Sequence, residues 1–364
     1  MVPSPFGRGV TCTRMTIPSP EFGVFLPVAN GGWIISSSTP PLDGLWKQNL
    51  AAAQTADRIG LDFVMSMGKW RGFGGETNHW GVQMESVTLM AALAQATSRV
   101  KLWATIHPML QNPAVAAKVI TTLDHISGGR AGLNIVAGAY RAEFDQMGAW
   151  DEALSHDDRY DYAEEWTALV KRLWTEPSVT HDGRFFTMKD CQSEPKPLSR
   201  PRPELICAGT SDRGFGFAVR EADACFIGGA TEDDRRDASR RAKALAASLG
   251  KPIKTYAMCT LIYAETDAKA EALAERYAAG VDMGAVIAML QSWGVPPERL
   301  TEVAKSQGAF MTQTAVGSPA TCAAHVRRFL DYCELDGLML IFPDYVEGLQ
   351  MFGADILPGL RAAA

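Results

Sequence analysis

The chain has 364 residues, 35 basic against 41 acidic side chains for a net charge of −6, and 47% hydrophobic residues. That length admits two domains or one large α/β barrel. The acidic balance, with no dense basic run, excludes a nucleic-acid partner, and no apolar run nears the roughly 20 residues that cross a bilayer.

Residues 1–20 are rich in Pro, Ser and Thr and lack an apolar signal core, which predicts a flexible N-terminal extension ahead of a single domain over 21–364. The seven cysteines (Cys12, Cys191, Cys207, Cys225, Cys259, Cys322 and Cys333) form no CxxC and no metal spacing. They read as reduced thiols of a cytoplasmic protein, with no metal site.

In chain order, Glu21–Pro27 is a short apolar strand, and Leu42–Ile59 is helical, ending at Gly60. Leu61–Met65 is the second strand, followed by a glycine-rich loop over 68–75 and a helix over 85–97. Lys101–Thr105 is the third strand and Pro113–Ile126 the third helix. Ala131–Val136 has the length and bounds of a buried parallel strand. Asp157–Leu173 is a long amphipathic helix, and Val179–Met188, with Asp182-Gly183 at its centre, is a β-hairpin. Strands follow at 204–208, 224–227, 255–264 and 337–342, with helices at 212–221, 232–249, 267–279, 319–335 and 345–360. Residues 280–315 break the pattern and read as an insertion or lid. Eight strands alternating with helices predict a (β/α)₈ TIM barrel with that insertion. No GxGxxG follows the first strand, which argues against a doubly wound sheet.

A barrel of this type carries its active site at the carboxyl ends of the strands. Strand 2 delivers Gly68 and Lys69 there, strand 3 Thr105 and His107, and strand 4 Asn134 with Gly138, Tyr140 and Glu143 beyond it. Asn134 is the polar residue of its strand, and it either satisfies itself on neighbouring backbone or lines the site. Gly209-Thr-Ser211 opens a helix, either as a plain N-cap or as a phosphate cradle. Arg159 and Tyr160, near the start of the long helix, reach the same rim. Trp70, Phe73 and Trp80 of loop 2 either shield a flat ring or simply pack the loop.

Five strings taken together resemble the luciferase-like flavin-dependent monooxygenases: 21–33 (EFGVFLPVANGGW), 66–75 (SMGKWRGFGG), 127–138, 156–160 and 209–212. The resemblance runs from about residue 21 to 360, and within the superfamily it is strongest to the pyrimidine (uracil) monooxygenases. The dimethylsulfone and alkanesulfonate monooxygenases come next, and a riboflavin lyase belongs to the same broad group. The resemblance implies a two-component enzyme that uses reduced FMN, supplied by a separate NAD(P)H-dependent flavin reductase, with O₂ as co-substrate. It implies oxidation or cleavage of a pyrimidine-like or larger N-heterocycle, with sulfone or sulfonate cleavage, flavin degradation and non-catalytic flavin binding as alternatives. It further implies FMN contacts from Gly68, Lys69, Asn134, Glu143, Arg159, Tyr160, Gly209 and Ser211. Asn134 and Thr105 border the O₂ pocket, and His107 or Tyr140 exchanges a proton near the substrate. A homo-oligomer is also implied. Two positions depart from the relatives: Ala139 stands where they have tryptophan, and His107 where the pyrimidine enzymes have a small apolar residue. Loss of an indole predicts a wider pocket, suited to a larger planar heterocycle.

Overall fold

A computed structural model describes residues 19–138, 140–209 and 211–362. The proposed N-terminal extension, apart from residues 19 and 20, and Ala139 therefore lie outside the described residues. Eight parallel strands close into a barrel: β1 (Glu21–Phe25), β2 (Phe63–Met65), β3 (Lys101–Ile106), β4 (Ala131–Ile135), β7 (Glu204–Ala208), β8 (Ala224–Phe226), β9 (Lys254–Tyr263) and β11 (Gly337–Ile341). The antiparallel pair β5 (Val179–Asp182) and β6 (Thr187–Cys191) forms the hairpin expected between the long helix and the fifth barrel strand.

The helices in chain order are α1 (Trp46–Ile59), α2 (Ser86–Ala96), α3 (Pro113–Ser127), a short α4 (Arg141–Asp145) and the long α5 (His156–Thr175). Then come α6 (Asp212–Glu221), α7 (Glu232–Ser248), α8 (Asp267–Ala279), α9 (Met283–Ser292), α10 (Leu300–Gln307), α11 (Pro319–Cys333), α12 (Tyr345–Met351) and α13 (Leu357–Ala362). Their ends follow local chemistry. Ser155 and Asp158 form a capping box at the start of α5, and Gly128, at φ 69°, ends α3 in the left-handed conformation that glycine adopts freely.

The barrel interior is filled by large rings set against glycine. Phe63 and Trp103 stack with centroids 3.8 Å apart, and Tyr256 leans on both. A Cβ on Gly23 would stand 2.1 Å from the Phe63 ring, and one on Gly132 would stand 2.4 Å from Trp103. The small residues are thus what let the rings meet at the axis, as interdigitating layers require. Below them Glu21 pairs with Lys254 and accepts from Tyr256, while Lys101 pairs with Glu204, so polar groups close the floor.

The insertion has regular structure that its broken pattern did not predict. It contains α9 and α10 and then β10 (Gln313–Gly317), which pairs parallel with the second half of β9. β9 runs ten residues because its first half completes the barrel with β8 and β11 and its second half serves β10. Asp282 ties the start of α9 to the loop after β2. Its carboxylate accepts from Thr77 N at 2.7 Å, Thr77 Oγ1 at 2.8 Å and Ala285 N at 3.1 Å.

Candidate active site at the barrel mouth

The strand order brings the carboxyl ends of β2, β3 and β4 side by side, with Thr105 in register with Asn134. Asn134 Nδ2 donates to Thr105 Oγ1 at 3.0 Å, and Thr105 Oγ1 donates to the Ser66 carbonyl at 2.5 Å. Ser86, at the start of α2, supports the row from behind. Its hydroxyl accepts from Thr105 N at 2.7 Å and lies 2.6 Å from Ser66 Oγ. The Asn134 amide is therefore fixed by its nitrogen. Its oxygen, Oδ1, is buried without a partner among the described residues. A buried acceptor left unpaired costs about 1–3 kcal/mol, which a ligand N–H would recover.

His107 follows β3 and is buried. Its Nε2 lies 2.9 Å from the Gly68 carbonyl, and Nδ1 has no side-chain or backbone partner of good geometry. Burial lowers the His107 pKa, against the Gly68 carbonyl and the Glu143 charge, so the ring is neutral near pH 7. A Cβ at Gly68 would come within 3.3 Å of both the His107 ring and the Thr105 methyl, so this turn of backbone lies tightly on β3.

Lys69 Nζ pairs with Glu143 Oε2 at 3.1 Å, and both side chains are less than a tenth exposed. The same carboxylate accepts from Trp70 N. The ammonium also lies over the Phe73 and Tyr140 rings, 4.6 Å and 4.4 Å from their centroids. Burial lowers the Lys69 pKa, and Glu143 pulls it back up. The result is a cation held by one carboxylate and two ring faces, an arrangement worth most where water is excluded. Phe73 and Trp80 are themselves buried, in a run of rings from Phe25 through Trp33 to Tyr140. They pack the loop, and of the three aromatic residues considered as ring shields only Trp70 is exposed.

A second group lines a cleft of about 860 Å³ that opens beside the first. Its lining includes Gly138, Arg159, Tyr160 and Ser211, together with Arg235, Met258 and residues 292–294, 307 and 310–314 of the insertion. Arg159 Nη1 donates to the Leu154 carbonyl at 3.0 Å, its guanidinium lies over Trp150, and it has no ion-pair partner among the described residues. Burial raises the Tyr160 pKa, against the pull of Ser211 beside its hydroxyl. Ser211 caps α6, accepting from Gly214 N at 3.1 Å. Gly209 does not line this cleft but a neighbouring one. A Cβ there would lie 2.3 Å from the Gly214 backbone, so its visible role is close packing of the turn on α6. No cluster of metal-ligating side chains occurs among the described residues, and no helix there is long and apolar enough to cross a membrane.

Most of the predicted residues thus fall into two groups, one bonded together at the ends of β2, β3 and β4 and one lining the cleft, with Gly209 outside both. Sequence reasoning missed the Ser66–Ser86 support, the Phe73–Tyr140 clamp on Lys69, Arg235 in the cleft wall and the Asp282 tie. Only the clamp carried a signal, in the aromatic residues close to Lys69 and Glu143.

The sequence profile of the family described as luciferase-like monooxygenase matches residues 20–332. The chain is 35% identical over 353 residues to pyrimidine monooxygenase RutA of Caulobacter vibrioides, covering 94% of this chain and 99% of that protein. It is 36% identical over 354 residues to pyrimidine monooxygenase RutA of Serratia proteamaculans, covering 94% and 96%. Its fold resembles that of a riboflavin lyase, RcaE, solved with modified FMN and riboflavin (TM-score 0.84, 22% identity, 95% of this chain and 92% of that one). It also resembles DmoA from Hyphomicrobium sulfonivorans (TM-score 0.80, 19% identity, 95% and 88%). A profile match over most of the chain, relatives above one-third identity along nearly its whole length, and the closed parallel barrel agree: the chain belongs to the luciferase-like monooxygenase family and is a flavin-dependent oxidoreductase.

Proposed function

We infer that this protein is the oxygenase of a two-component system, using reduced FMN from a separate NAD(P)H-dependent reductase, and O₂, to oxidise or cleave an N-heterocycle. The observation that carries the reading is Asn134. Its amide nitrogen is fixed on Thr105 and its buried carbonyl oxygen is left unpaired among the described residues, ready for an N–H on the edge of a flavin ring. In this reading Gly68, Lys69, Asn134 and Glu143 hold the ring end, and Arg159, Tyr160 and Ser211 hold the phosphate end. FMN, when bound, supplies the redox chemistry with O₂.

The protein's own groups then have separable tasks. Lys69 places a positive charge at the ring end, where negative charge accumulates on reduction, and Glu143 keeps its ammonium in place. Thr105 and Asn134 present a hydroxyl and an amide of fixed direction. Neutral His107 secures the Gly68 carbonyl and is the nearest candidate, with Tyr140, to exchange a proton with substrate. Phe73, Trp80 and Tyr140 keep water from the ring end. The relatives named pyrimidine monooxygenases support a pyrimidine-like ring, and Ala139 supports a larger one. The described cysteines are all free thiols, in keeping with a cytoplasmic protein, and family likeness supports a homo-oligomer.

The test is FMN titration by fluorescence quenching, followed by oxygen uptake and product mass spectrometry with photoreduced FMN and uracil, thymine, lumazine or riboflavin. Substrate-dependent oxygen incorporation supports the reading. Failure to bind FMN, or oxygen use that no heterocycle changes, rejects it. Asn134→Ala is expected to reduce turnover at least tenfold while the fold is retained.

A further inference from the structure

The proposed phosphate cradle accounts for only part of the cleft lining. The lining also holds a second guanidinium, Arg235, from the first turn of α7. Its one hydrogen bond is a long contact of 3.4 Å to Gln313 Oε1, and it has no ion-pair partner among the described residues. Glu232, three residues earlier in the same turn of α7, is already held by Arg328 in two bonds of 2.6 Å and 2.7 Å. The Arg235 guanidinium also lies over the Phe329 ring, 6.0 Å from the centroid, and a half-buried arginine with most of its forked donors unbonded is the residue type that binds a planar anion through two parallel bonds.

The same lining carries apolar side chains left exposed among the described residues. Trp293 ends α9, is 52% exposed and borders the cleft, whose lining also includes Phe310 and Met311. Gly294, at φ 83°, turns the chain sharply after it. An indole exposed at the edge of a concave cleft offers a face on which a flat ring can stack. The volume of about 860 Å³ lies near the upper end of the range for small-molecule sites, about 300–1,000 Å³.

Resting on the reading of this cleft as a flavin-dependent oxygenase site, we propose that its insertion-side half recognises the substrate. The substrate is a planar heterocycle larger than one ring and bears a carboxylate, with the ring against Trp293 and the carboxylate on Arg235. α7, through Arg235, and the insertion, through Trp293, then set specificity together.

Four probes separate ring size from charge: uracil, its 6-carboxylate orotate, lumazine (uracil with a fused pyrazine), and lumazine-6-carboxylate. Their dissociation constants are measured by equilibrium dialysis against the full-length protein, with and without saturating oxidised FMN. Lumazine-6-carboxylate is expected to bind tightest, about tenfold or more ahead of lumazine. Arg235→Gln is expected to abolish that carboxylate preference with the FMN dissociation constant unchanged. Trp293→Ala is expected to weaken both lumazines about tenfold and to leave the carboxylate preference in place. Equal binding of the carboxylated and plain rings overturns the proposal. So does an Arg235→Gln protein that keeps the preference but loses its discrimination of FMN over riboflavin, which would assign Arg235 to the cofactor phosphate. A protein that binds no FMN refutes the oxygenase reading instead, and that result is separate because the probes are also compared without FMN. Unchanged circular dichroism and melting temperature in both variants exclude misfolding as the cause.

Discussion

His79 makes the loop between β2 and α2 acid-sensitive. Its ring is fully buried beside Trp80, and neither nitrogen has a partner among the described residues. Burial pushes its pKa from 6.5 down to about 4, although the nearby Asp282 charge favours the proton. Between those two values the unfolded chain binds a proton that the folded chain refuses. Stability is therefore lost as pH falls below about 6.5, and the loss levels off below about 4. A site that titrates at about 4 folded and 6.5 unfolded contributes about 2 kcal/mol less at pH 5 than at pH 7. The assay is guanidinium unfolding at pH 7 and pH 5 for the wild type and His79→Leu, which removes both orphaned nitrogens and keeps an apolar side chain. The wild type is expected to lose about 2 kcal/mol more than the variant on acidification. If the proton is taken up by opening the loop alone, amide exchange over 72–81, corrected for intrinsic rate, is expected to accelerate about 30-fold in the wild type only. Equal losses of stability, together with equal exchange in this segment, would refute the argument that the buried ring is what senses the proton.

Other consequences follow from the same contacts. Asp282→Asn replaces an oxygen facing two donors or the one facing Ala285 N, and is expected to destabilise by about 1–3 kcal/mol and to expose the insertion to limited proteolysis. For the buried pair, Lys69→Met strands Glu143 and should destabilise more than Lys69→Met with Glu143→Gln, which a double-mutant cycle of melting curves would read as strong coupling. Ser211→Ala removes the cap of α6, with an expected loss of about 1 kcal/mol, and titrations should show FMN weakened more than riboflavin. Gly23→Ala drives a methyl into the Phe63 ring, and calorimetry is expected to show a destabilisation of about 1–3 kcal/mol or more.

These sites differ in how far the sequence announced them, and the difference is physical. The strands were legible because a parallel strand covered on both faces is a short, nearly continuous apolar run, as Phe22–Phe25 and Leu338–Ile341 are. Asn134 stood out because an amide in such a run needs a partner, and its neighbour in register, Thr105, supplies one half of the answer. β10 escaped because Gln313 and Thr314 are half-exposed, as residues of an outer strand with one neighbour are, and the run lacks an apolar signature. Its sign was indirect: β9 is ten residues long where its barrel neighbours are three to five, so half its hydrogen-bonding edge needed another partner.

Asp282 and His79 carried no local signal at all. An aspartate at a helix start reads as a cap, and Asp282 is one, through Ala285. Its second task, holding Thr77 from 205 residues away, exists only once the barrel has brought the loop after β2 under the insertion. The same juxtaposition gives the tie its consequence for function. The loop it holds carries the Lys69 end of the site, and the helix it starts leads to Trp293 in the lining of the cleft. One carboxylate therefore fixes the two halves relative to each other. A variant at Asp282 should disturb ring-end and insertion-side binding together, whereas Arg235→Gln and Ser211→Ala should each disturb one. FMN and lumazine-6-carboxylate titrations on the three variants would show this, and an Asp282 variant that weakened only one ligand would refute the coupling.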